Sequence, residues 1–155
     1  MSLSYFLWRY FLFYPEDTAS HWQDGYQEMV KKLNQQQNDF DKIIVSTHYG
    51  QPHIFVAFFT PIEPKLYQEM VKGQNPIFNS RVAALGKIQF REIKSKDFCL
   101  ANTLVITGDS RVSSKIPRLE QVFITNRFHQ PQLVFEMFDT NEPLVRKEMC
   151  VENEN

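Results

Sequence analysis

Six polar or ionisable residues crowd one short stretch of this chain: Ser46, Thr47, His48, Tyr49, Gln51 and His53, within STHYGQPH. A histidine beside a serine could serve as the base to its nucleophile, and two histidines could share a metal ion. The spacing argues against both. No G-x-S-x-G elbow surrounds Ser46, and no acid stands nearby in sequence to orient His48. His48 and His53 lie across a proline and not at H-E-x-x-H spacing, which disfavours zinc. His21 and His129 stand alone. Three readings remain open. The stretch is a ligand-binding loop with no catalytic or metal-ligating residue, or its polar groups merely satisfy backbone where two elements meet, or, least favoured by the spacing, Ser46 and His48 form the centre of a small hydrolase.

The flanks say what would hold such a loop. Ile43-Ile44-Val45 is a β-branched run and predicts a buried strand over 42–46. Pro52 suits the first turn of a helix, where its missing N–H is not needed, so 53–59 reads as a short buried helix. Strand, polar loop and helix in succession is the arrangement in which open α/β sheets place ligands. Upstream, a helix is expected over 20–36. Ser20 with Gln23 fits a capping box, and Trp22, Tyr26, Met29, Val30 and Leu33 form an apolar stripe. Gly25 falls inside that helix, at a cost of about 1 kcal/mol that a close backbone neighbour would explain.

Downstream, 63–71 reads as another helix. Strands are expected over 87–93, half exposed, over 103–107, fully buried, and over 121–126 and 132–138. The last two form a hairpin across Arg127 to Pro131, which lacks the Asp-Gly turn that would fix its register. A Gln-Pro echo between VSTHYGQPHIFVAFF and ITNRFHQPQLVFEMF is not a repeat, because the first continues as helix and the second alternates as strand. The expected fold is α/β: a three-layer sandwich with a mostly parallel central sheet and an antiparallel C-terminal hairpin. The layout is an aromatic arm over 1–15, one domain over 16–139, and a loose polar tail over 140–155.

Lys plus Arg number 17 against 18 Asp plus Glu, a formal net charge of −1 with no basic run, so nothing favours nucleic acid as a partner. Five scattered glycines form no phosphate loop, and no cofactor is expected. Cys99 and Cys150 form no C-x-x-C pair. They are free thiols or, in an oxidising compartment, a bridge, and the sequence does not decide which. No apolar run reaches the length of a membrane span, and the N-terminus lacks a signal peptide's basic region and cleavage site. The arm from Tyr5 to Tyr14, YFLWRYFLFY, reads either as a segment packed on the core or as one beside a membrane, where Tyr and Trp are enriched. Its leading Met1-Ser2-Leu3 is consistent with a piece of a longer chain.

Taken in order, Trp22, Gly25, Tyr26 and Glu28, then FDKIIVSTHYGQPHIFVAFF, then Pro64, Tyr67 and Gln68, then GKIQFR resemble one block. The block is similar to the soluble C-terminal domain of bacterial membrane glycosyltransferases related to the protein O-mannosyltransferases, with YGQPHIF the most specific piece. The likeness runs from about Tyr10 to Phe138. It implies an extracytoplasmic accessory domain at the bacterial cell membrane. Its partner would be the membrane-spanning portion of the same parent chain, and it could also meet a glycan or a lipid-linked sugar while aiding acceptor recognition. In that family the chemistry belongs to acidic loops of the spanning portion, so no catalytic residue transfers to this chain. The alternative is a free-standing module that binds a small, carbohydrate-like ligand.

Overall fold

The computed structural model describes residues 2–14, 24–72, 82–108, 112–126 and 128–150. Five α-helices and six strands are described among them. The helices are α1 (Leu3–Leu12), α2 (Tyr26–Gln36), α3 (Pro52–Phe59), α4 (Pro64–Val71) and α5 (Pro143–Met149). The strands are β1 (Lys42–Val45), β2 (Ala84–Leu85), β3 (Ile88–Phe90), β4 (Thr103–Thr107), β5 (Glu120–Thr125) and β6 (Pro131–Asp139).

The β-branched run at Ile43 lies in the middle of the sheet, in the order β2-β3-β1-β4-β6-β5. β1 runs parallel to both neighbours, pairing Val45 with Phe90 on one side and with Ile106 on the other. The outer pairings are antiparallel, including the expected hairpin of β5 and β6. Alternation along the strands divides the core. Ile43, Val45, Leu104 and Ile106 pack under Met29, Val30 and Leu33 of α2 and Val56 of α3. Val105 and Phe138 face the other way, onto Phe98, Ile116 and Val145 of α5. Helices on both faces of a mixed sheet make the α/β sandwich that the periodicities predicted.

Four local expectations are corrected. First, Gly25 is not inside a helix but caps α2, with φ +92°, a conformation that favours glycine. Its close neighbour is a side chain, since a Cβ there would lie 2.7 Å from Val134 Cγ2. Ser20, Gln23 and Trp22 lie outside the described residues.

Second, the strand expected over 87–93 is only Ile88–Phe90. The chain reverses at Gly86 (φ +58°) to pair the short β2 with β3, and it leaves the sheet at Arg91, whose side chain is held by Asp97.

Third, the hairpin needs no Asp-Gly. The Asn126 side chain accepts the Phe128 and Gln130 amides at 2.9 and 3.1 Å, and His129 takes the left-handed position (φ +56°). Arg127 is outside the described residues. A register shift at Val122/Phe123 adds local twist.

Fourth, the chain after Thr140 is not a loose tail. Thr140 is fully buried and bonds Thr103 through both backbone and hydroxyl. Helix α5 follows, and Cys150 is disulfide-bonded to Cys99. Residues 151–155 lie outside the description.

The aromatic arm is helical. LSYFLWRYFL contains no β-branched residue, and rings four apart stack, Phe6 on Tyr10 at 5.8 Å and Tyr10 on Tyr14 at 5.2 Å. None of its side chains is buried. The reading in which this arm packs into the core is therefore set aside.

Candidate functional site

The loop after β1 begins where sheet bonding ends. The Ser46 amide donates to the Ile106 carbonyl at 2.9 Å, and the Arg91 amide donates to the Val45 carbonyl at 3.2 Å. The chain then turns, with the Gly50 amide donating to the Thr47 carbonyl at 3.1 Å and Gly50 at φ +101°. Pro52 occupies the first turn of α3, where its ring suits the helix and no donor is lost.

The six crowded residues do not act together. The Ser46 hydroxyl is buried and accepts the His48 amide at 3.2 Å, which makes it a turn-former. The Tyr49 ring lies against Gly108 at the end of β4, where any Cβ would overlap it, and meets Phe135 edge-on at 5.6 Å. His53 is only 4 % exposed and points an edge at Phe90, 6.1 Å between ring centres. Burial lowers its pKa and favours the neutral imidazole. Gln51 is the residue before α3 and makes no side-chain cap bond. His48 is exposed, and among the described residues no carboxylate is hydrogen-bonded to it. No serine–histidine–acid relay is therefore assembled here.

Thr47 is different. It lines a cleft of about 510 Å³ together with Phe90, Arg91, Glu92, Lys94 and Lys96. The cleft lies at the carboxyl ends of the parallel strands β1 and β3. Their chains leave toward opposite faces, β1 into α3 and β3 into the 3-10 turn Ser95–Cys99, whose Phe98 belongs to the second core. Divergence of this kind opens a crevice in α/β sheets.

Asp97 fixes the far wall. Its carboxylate takes both Arg91 Nη atoms, at 2.6 and 2.7 Å, and the Lys94 amide at 2.8 Å. Burial alone would raise the Asp97 pKa. The Arg91 hydrogen bonds, the Lys94 amide and the nearby positive charges outweigh it and hold the carboxyl below its ordinary range.

Sequence reasoning missed Arg91, Glu92, Lys94 and Lys96, because the alternation from Ile88 was read on to Ile93. A usable signal was present: three cations in REIKSK directly after a strand. Among the described residues, no group of three His, Cys, Asp or Glu is placed to hold a metal ion, and no helix is long and apolar enough to cross a membrane. The chain matches no protein-family model, no curated protein and no solved structure, so the resemblance of the quoted blocks supports a proposal and not a family membership.

Proposed function

We propose that this chain is a non-catalytic, extracytoplasmic accessory domain of a bacterial membrane glycosyltransferase that uses a polyprenyl-phosphate-linked sugar. The observation that carries the reading is α1. Ten large apolar side chains from Leu3 to Tyr14 are exposed, eight of them in α1, which buries none, and two just after it. Exposed apolar surface on this scale marks a binding face. Its Tyr and Trp content is that of a bilayer boundary. Two further points support the reading. The Cys99–Cys150 bridge fits an oxidising compartment, and the quoted blocks occur in the order the resemblance requires. In this role the domain stands beside the spanning part of its parent chain and helps present an acceptor, while the chemistry lies elsewhere.

An antibody to the α/β domain, used on fractionated cells, tests this. The expected result is a membrane-integral protein larger than this chain, whose domain is digested by protease added outside. A soluble, protease-protected protein no longer than these 155 residues would overturn it. The second reading, a free-standing module for a carbohydrate-like ligand, is favoured by the cleft at Thr47. It is distinguished by the same fractionation.

A further inference from the structure

We infer that the cleft between β1 and β3 binds an acidic sugar, a hydroxyl-rich ring carrying one phosphate or carboxylate. The inference does not rest on the membrane role. The lining is mixed in a way that suits such a ligand. Lys94 and Lys96 are exposed, and among the described residues neither ammonium has a hydrogen-bonded or ion-paired side-chain partner. Arg91 is anchored and oriented. Of its five N–H groups, Nη1 gives one to Asp97 and one to the Glu92 carbonyl, Nη2 gives one to Asp97, and Nε faces Gln89. One Nη2 N–H remains unassigned among the described residues.

Asp97 neutralises Arg91 from behind, so Lys94 and Lys96 against Glu92 leave the lining with one net positive charge. That is enough for a single oxyanion and too little for a polyanion such as nucleic acid. Thr47 and Glu92 also line the cleft and supply a hydroxyl and a carboxylate, groups that bind hydroxyls, the second as an acceptor only. An isolated inorganic anion would leave Glu92 as mere repulsion. A ligand with both an oxyanion and hydroxyls uses every polar group of the wall.

Titration of the 15N-labelled full chain with glucuronate, glucose 6-phosphate, glucose and inorganic phosphate tests this. Saturable shifts are expected at the amides of Thr47 and 91–96 with one or both acidic sugars, and at least about tenfold weaker binding of glucose and of phosphate. The stronger of glucuronate and glucose 6-phosphate identifies the oxyanion. Lys94→Ala with Lys96→Ala should weaken binding of the acidic sugar about tenfold or more and leave the remaining amide spectrum in place, since both side chains are exposed. The inference is overturned if neither acidic sugar shifts those amides. It is likewise overturned if glucose or phosphate alone binds as well as the acidic sugar, or if the double variant binds unchanged. Because membrane attachment is read by fractionation and this site by titration, either can fail without the other.

Discussion

Tyr26 shows how a single atom can be out of step with its surroundings. Its ring is fully buried, stacked on Phe55 at 4.3 Å and edge-on to Phe135 at 4.8 Å, yet its hydroxyl has no hydrogen-bond partner among the described residues. Burial, with Tyr49 adding to it, pushes the phenol's pKa up, so the group stays protonated. A buried donor left unpaired costs about 1–3 kcal/mol. Tyr26→Phe keeps the rings and removes the orphan, so its urea midpoint should rise. A lower midpoint would mean the hydroxyl holds a partner.

His53 gives a pH signature. Its folded pKa is lowered from 6.5 by burial, so protons bind the unfolded chain more readily. Its contribution is complete above that ordinary value and is lost as pH falls below it. Stability should therefore decline as pH falls below about 6.5, and the decline should flatten in His53→Phe. Asp97 acts in a lower window. Its carboxyl is held below its ordinary 3.8, so its contribution is present above that value and is lost as pH falls through the depressed one. At this scale the sequence showed that a polar loop follows β1, but not which way each of its side chains turns. Tyr49 and His53 turn inward because each meets a neighbour from another strand, which spacing along one chain does not reveal, whereas Ser46 closes its own turn on the His48 amide.

At the scale of elements, legibility followed length and burial. β4 matched its expected span, and β1 fell within one residue, because buried β-branched runs have one stable place, the middle of a sheet. β2 has two residues and exists only because Gly86 turns it onto β3. No periodicity can announce so short a strand. The final helix was hidden by polarity. PLVRKEM has one buried residue, Val145, and depends on tertiary ties: the Arg146 side chain donates to the Cys99 carbonyl at 3.0 Å, and Cys150 is bonded to Cys99. The bridge closes a loop of 51 residues, for which chain entropy assigns about 4 kcal/mol and experience about 2–4. Cys99→Ser with Cys150→Ser should lower unfolding free energy by about that amount. Amide exchange should rise first in α5, because little else is buried there. Unchanged exchange in α5 would show that Val145 and Arg146 suffice.

The whole molecule joins two surfaces of opposite character. The cleft is ionic, and its binding of an acidic sugar should weaken as salt shortens the screening length. Helix α1 is apolar around its whole circumference apart from Ser4 and Arg9, and a formal net charge of −1 supplies no attraction to anionic lipid. Attachment through α1 should therefore be driven by buried apolar area and be indifferent to salt. The full chain is expected to co-sediment with vesicles of neutral lipid, with Trp8, half exposed in water, moving to a less polar environment. Phe6→Ser with Phe11→Ser removes two exposed rings. At about 1.5–3 kcal/mol for a fully buried phenylalanine, even partial insertion makes the loss at least about tenfold. The fold should not change, because α1 buries nothing in the core. The competing occupant of this helix is a second copy of the chain. In that case sedimentation would show a concentration-dependent dimer that the double variant abolishes, and vesicles would capture the two proteins equally.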